Sequence, residues 1–168
     1  DELVFDGGSM VVTATGECHV LAPSYVETLV PVLVQAGESS DSPCEIPMQQ
    51  IAPSLSLEAQ VYQSLVLGVR DYASKNKFKG VVLGLSGGID SALTLAIAVD
   101  ALGSDCVQAV MMPFTYTSEL SLDAAAEQAN KLGVDYQKIS IEAIYSSFMR
   151  SLEAQFENTE TDVSEQNL

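Results

Sequence analysis

The sequence predicts an α/β protein, a parallel sheet with helices on both faces, preceded by a β-rich segment. Three observations predict it. From residue 55 onward, apolar residues at helical spacing alternate with short continuous apolar runs. Glycine or proline punctuates most of the joints between them. Residues 1–34, by contrast, carry two strand-like runs joined by a turn signal.

Each element can be justified in order. Met10–Ala14 and Cys18–Ala22 read as strands, with Thr15-Gly16-Glu17 as the hairpin turn. Val26–Val34 is a third extended candidate, and Pro31 marks it as an edge strand or an irregular stretch. Residues 35–54 are polar and turn-rich, with Pro43, Pro47 and Pro53 in short order, and read as an inter-domain linker. Leu57, Val61, Leu65 and Val69 recur every four residues, one face of a helix that Ser54 or Ser56 could cap. Val81–Leu85 is a short apolar run, as expected for a strand buried on both faces. Ile89–Leu102 is an Ala- and Leu-rich helix that Gly103 would stop. Cys106–Met112 is the next strand, closed by Pro113; Glu119–Leu132 is a helix ending at Gly133; Tyr136–Ile139 is the last strand. Ile141, Ile144, Tyr145, Phe148, Met149 and Leu152 then mark an amphipathic helix whose apolar stripe reads as core or subunit interface.

Composition excludes several classes. The chain has 168 residues, 47% hydrophobic and 18% charged, which suits a folded domain rather than a disordered one. Lys plus Arg number 7 against 23 Asp plus Glu, a net charge of −16, which repels phosphate backbones and argues against a nucleic-acid partner. Lys75, Lys77 and Lys79 read as a solvated helix end. No apolar run reaches the roughly 18 residues of a membrane span. The acidic start, Asp1 to Asp6, lacks the basic opening of a secretory signal. Cys18, Cys44 and Cys106 are widely spaced and His19 is the one histidine, so neither a disulfide scaffold nor a metal cluster is expected, and a reducing, cytoplasmic setting is.

The chemistry concentrates in Gly84-Leu85-Ser86-Gly87-Gly88-Ile89-Asp90-Ser91, between a strand and a helix N-terminus. The glycines let backbone N–H groups approach an anion, the helix dipole favours negative charge there, and Ser86 and Ser91 add hydroxyls. The geometry suits a pyrophosphate, as in the phosphates of ATP. No Lys follows as in a Walker A loop, and G-x-G-x-x-G is absent. Asp90 would repel a phosphate unless it holds Mg²⁺. Loss of pyrophosphate is therefore favoured over γ-phosphoryl transfer. The bland alternative is an ordinary glycine-rich βα turn with Asp90 in the first helical turn.

Residues 86–91 resemble the phosphate loop of the N-type ATP pyrophosphatases, the adenine nucleotide alpha-hydrolase-like fold. Met112-Pro113-Phe114-Thr115-Tyr116-Thr117-Ser118, with Ser121, Asp123 and Ala124, is similar to the second-strand region of NAD synthetases. Asp162–Asn167 is similar to that family's Glu-Asn-x-Gln-Ala-Arg motif, with Gln166 where Glu is usual. Asp1–Ser9 resembles a segment of the nitrilase-like glutaminase domain that precedes the synthetase in glutamine-dependent NAD synthetases. The resemblance divides the chain into the end of a nitrilase-like glutaminase domain (1–34), a linker (35–54) and the start of the synthetase domain (55–168). It implies amidation of deamido-NAD to NAD by glutamine-derived ammonia, through an adenylate, releasing AMP and pyrophosphate. It implies that Gly84, Leu85, Ser86, Gly87, Gly88, Ile89, Asp90 and Ser91 bind ATP and that Asp90 binds Mg²⁺. The family's Glu-Lys-Cys glutaminase triad lies upstream, so no catalytic residue is assigned here. An internal fragment without activity of its own is expected, from a protein that is a homo-oligomer with small-molecule substrates, deamido-NAD, glutamine and ATP, and no membrane partner.

Other residues have plainer readings. Cys18 falls on a strand with Glu17 and His19 facing the other side, and Cys44 falls in the linker, so neither reads as a nucleophile. Met111 reads as strand core, though with Met112 it could touch an adenine ring. Thr117, Ser118 and Ser121 could line the nucleotide site, and Ser118 could cap its helix. Asp100, Asp105 and Asp123 read as solvated acids. A GMP synthetase-like ligase shares the loop. A tRNA-thiolating enzyme shares it too but should show C-x-x-C pairs or a basic face. A non-catalytic nucleotide-binding module would leave residues 1–34 unexplained, and a lone amidohydrolase would lack its nucleophile.

Overall fold

The structure, a computed structural model, describes residues 3–37 and 44–156. The backbone divides into two compact units, residues 1–68 and 69–168.

In the first unit, β1 (Met10–Val12) and β2 (Cys18–Leu21) pair antiparallel, with a bulge between Val11 and Val12. Gly16, at φ 87°, supplies the left-handed residue the turn needs, and its N–H donates to the Thr13 carbonyl at 3.0 Å. No strand forms over Val26–Val34; this stretch is the irregular alternative that Pro31 allowed. Of the expected linker, residues 38–43 lie outside the described residues. Its flanks are tied down: Gln35 and Glu45 exchange backbone hydrogen bonds, and the Leu21 N–H donates to Gln50 while Ala52 donates back to Leu21. The second flank therefore runs beside β2 as an extra extended segment.

Helix α1 (Leu57–Lys75) begins where Ser56 accepts a hydrogen bond from the Ala59 N–H at 3.2 Å, choosing Ser56 over Ser54 as the cap.

In the second unit, β3 (Val81–Gly84), β4 (Val107–Met111) and β5 (Asp135–Lys138) form a parallel sheet in that order. Helix α2 (Ile89–Leu102) crosses from β3 to β4, and α3 (Glu119–Leu132) crosses from β4 to β5. Both connections advance in one direction, so right-handed crossovers put both helices on the same face. The core bears this out: Leu95 and Ala98 of α2 and Ala125 and Ala129 of α3 meet Leu85, Val107 and Ala109 from the sheet. Alanines at the facing helical positions let both helices lie close to the strands. Val81 and Leu83 pack against this core, whereas Val82 points to the other face and is 66% exposed. Successive side chains of the strand point to opposite faces, so Val82 meets different surroundings from Val81 and Leu83. The final helix, α4 (Glu142–Phe156), follows β5. No helix among the described residues is long and apolar enough to cross a membrane.

Candidate functional site

The eight residues singled out in the sequence lie at the carboxyl end of β3, where a parallel sheet presents ligand sites. The Leu85 N–H still donates to the Val110 carbonyl at 2.9 Å, so the loop leaves the sheet only after Leu85. Leu85 itself is buried and anchors the loop. Gly87 then turns at φ 81°, and Gly88 is the extended residue before α2, with no side chain capping the helix. An uncapped N-terminus leaves amides pointing outward. Among the described residues, the N–H groups of Gly87, Ile89, Asp90 and Ser91 have no acceptor. They form an open cluster of donors at the positive end of the helix dipole.

The serines are arranged differently from the simplest reading. Ser91 Oγ donates to the Gly88 carbonyl at 3.0 Å and accepts from the Ser86 N–H at 3.2 Å. Since its single proton goes to Gly88, the 3.0 Å contact between the two hydroxyls is a donation from Ser86 to Ser91. Ser86 Oγ in turn accepts from the Gly88 N–H at 3.3 Å. Both hydroxyl protons, and one of the glycine amides, are thus engaged within the loop. A phosphate could take Ser86 only by drawing it away from Ser91, which would also free the Gly88 amide.

Asp90 is exposed in the first turn of α2, and its carboxylate has no hydrogen-bond or ion-pair partner among the described residues. No group of three or more His, Cys, Asp or Glu there could hold a metal unaided. A single carboxylate beside a phosphate site fits Mg²⁺, which takes one or two carboxylates and completes its shell with substrate oxygens and water.

A small open pocket of about 140 Å³ adjoins the loop, lined by Leu85, Ser86, Val110, Met111, Met112 and Thr117. Met111 is buried and belongs to the core, as its reading as strand core requires, while Met112 is half-exposed at the rim. Thr117 Oγ1 accepts from the Phe114 N–H at 3.0 Å, closing the turn after β4. Ser118 caps α3, accepting from the Ser121 N–H at 3.2 Å. One relationship has no signal in the sequence: a Cβ on Gly87 would lie 2.2 Å from the Ser121 carbonyl oxygen.

Away from this loop, His19 bonds through Nδ1 to the Ile46 carbonyl, and its Nε2 lies 3.8 Å from Glu17. Cys18 Sγ donates to the Val20 carbonyl at 3.3 Å. These contacts give the three residues structural work and no shared reacting point. The Asp162–Asn167 segment lies outside the described residues.

A family model described as NAD synthase matches residues 61–168. The glutamine-dependent NAD(+) synthetase of Acinetobacter baylyi is 47% identical over 168 residues, which is 100% of this chain and 30% of that protein. The solved structure of the glutamine-dependent NAD+ synthetase from Acinetobacter baumannii, in complex with adenosine diphosphate, matches with a TM-score of 0.88 and 46% identity over 99% of this chain and 31% of its own. The NH3-dependent NAD synthetase from Campylobacter jejuni matches with a TM-score of 0.56 and 29% identity over 65% of this chain and 45% of its own. The chain spans about 30% of the length of the first of these relatives.

Proposed function

The chain belongs to the NAD synthase family, and on that premise we propose that it is the junction of a glutamine-dependent NAD synthetase. Residues 1–34 are the end of its nitrilase-like glutaminase domain, 35–54 the linker and 55–168 the start of its synthetase domain. The longer protein uses ATP to adenylate the carboxylate of deamido-NAD, releasing pyrophosphate. Glutamine-derived ammonia then displaces AMP to give NAD. The glutaminase nucleophile comes from outside this chain.

The observation that carries the proposal is the donor cluster of Gly87, Ile89, Asp90 and Ser91 next to a partnerless carboxylate. Of the eight loop residues, Gly84 and Leu85 bring the chain to the strand end. Gly87, Ile89, Asp90 and Ser91 offer amides to phosphate oxygens, Ser86 and Gly88 follow once their mutual hydrogen bond opens, and the Asp90 carboxylate would hold Mg²⁺. Mg²⁺, when bound, screens the phosphates and stabilises charge developing on the departing pyrophosphate. The open amides hold that same group in place without reorganisation, which is where fixed donors are most effective. Met112 and Thr117, at the rim of the neighbouring pocket, are placed for the adenine base. A cytoplasmic setting agrees with three free cysteines, and a homo-oligomer with the exposed Ile144 and Phe148 of α4.

The test is ATP–pyrophosphate exchange by the full-length protein. Deamido-NAD should support exchange, while xanthosine monophosphate and aspartate should not. Exchange with xanthosine monophosphate instead would move the protein to a GMP synthetase-like reaction. Calorimetry should show ATP binding more tightly with Mg²⁺, and Asp90→Ala should remove that difference; equal affinity of the unaltered protein with and without Mg²⁺ would refute the metal role.

A further inference from the structure

We propose that Ser118 is a positioning residue for the phosphate loop, acting through the first turn of α3. The inference rests on the nucleotide reading above and extends it to the helix on which the loop rests.

The starting point is the contact at Gly87. A Cβ built there would lie 2.2 Å from the Ser121 carbonyl oxygen, 2.7 Å from its Cα and 2.8 Å from its carbonyl carbon. The tip of the loop therefore lies directly on the α3 backbone, with no side chain between. Gly87 is also at φ 81°, a left-handed conformation that glycine adopts without a Cβ penalty. Its two flanking amide contacts, through Ser86 and Ser91, stay within the loop. What fixes the tip from outside is the surface it rests on.

That surface is the first turn of a helix, which frays unless its free N–H groups find acceptors. Ser118 supplies one: its Oγ accepts from the Ser121 N–H at 3.2 Å and pairs with the Ser121 hydroxyl at 2.9 Å. The residue that Ser118 holds is the residue on which Gly87 rests. Farther along, Gln128 Nε2 donates to the Ala92 carbonyl at 2.7 Å, and Ala125 and Ala129 are fully buried. The body of α3 is thus secured against α2 without the cap. Loss of Ser118 should loosen the first turn alone, and with it the backing of the loop.

The consequence is selective. Groups that bind through the loop amides, ATP and inorganic pyrophosphate, should weaken. Adenosine, which has no phosphate to place on the loop, should not. The experiment uses the full-length protein as Ser118→Ala and Ser118→Thr, with Mg²⁺ throughout. Removing a cap of this kind corresponds to a loss of roughly three- to tenfold in ATP and pyrophosphate affinity. Adenosine affinity should be unchanged, and Thr, which keeps the acceptor, should restore the rest. Amide hydrogen exchange over residues 86–91 in nucleotide-free Ser118→Ala should be faster than in the unaltered protein. ATP affinity and loop exchange both unchanged in Ser118→Ala would overturn the inference. So would an equal loss of adenosine and ATP that Thr does not rescue. If the unaltered protein fails to bind ATP while loop exchange still responds to Ser118, the nucleotide reading falls and the mechanical link stands.

Discussion

At the scale of the residue, glycine has two different uses near the sheet. Gly87 needs both its left-handed φ and the space against Ser121. Gly80, just before β3, needs only space: a Cβ there would lie 2.6 Å from the Cys106 carbonyl oxygen. Backbone is a poor neighbour to displace, and Cys106 leads directly into β4. Gly80→Ala should therefore destabilise the protein by about 1–3 kcal/mol through forced strand separation. Chemical denaturation would measure it, and a cost near zero would mean that the two strands can part freely. Neither use shows in the sequence. A glycine before a strand and a glycine in a loop look alike until the partner backbone is in place. The same holds for Ser86 and Ser91, whose types suggest donors but whose protons are already engaged within the loop, that of Ser86 by Ser91 and that of Ser91 by the Gly88 carbonyl.

At the scale of the element, helices α2 and α3 carry the fold. Leu95 is fully buried at the centre of the core they share with the sheet. Leu95→Ala should cost about 2–5 kcal/mol, read as a fall in denaturation midpoint, because alanines on both helices leave little bulk to fill the gap. A surface pair makes a contrasting prediction. Glu127 and Lys131 lie four residues apart on α3, and the hydrogen bond from the Lys131 ammonium holds the Glu127 carboxyl below its ordinary range. A carboxyl lowered by folding contributes stability above its unfolded pKa and loses it as pH falls through the folded one. The stability difference between the unaltered protein and Lys131→Met should therefore vanish as the solution is acidified past the carboxylate range. A difference that persists there would mean that the lysine stem, not its charge, matters.

These elements are largely legible in the sequence, because helical periodicity and glycine stops are local. Residues 89–102 and 119–132 are helical over the spans that their apolar spacing and their terminal glycines predict. Legibility ends where tertiary partners decide. Val26–Val34 has strand-forming residues but finds no ladder. Residues 44–52 fall in the stretch read as linker, and their composition does not show that part of it runs beside β2, secured by the Leu21 and Ala52 amides. Val82 belongs to an apolar run and yet is exposed. Composition cannot report any of these, since each depends on what lies opposite.

At the scale of the whole molecule, charge and coverage set the expectations. A net charge of −16 surrounds a site proposed to take a polyanion. Local amides and a divalent cation must then outweigh a long-range field of the wrong sign. The protein should pass through an immobilised polyanion column at low salt without retention, although it binds ATP with Mg²⁺. Retention there would reveal a basic face that the composition does not suggest. The NAD synthase match begins at Val61, inside α1, and the backbone divides after Gly68 in the same helix.

The dependence of Gly87 on Ser121 also orders events in time. During synthesis the glycine-rich stretch emerges well before α3 does. Until α3 has formed, those residues have the right letters and nothing to lean on. A nascent or truncated chain that stops short of Ser121 should accordingly be blind to nucleotide, and recognition should switch on only as the later helix docks.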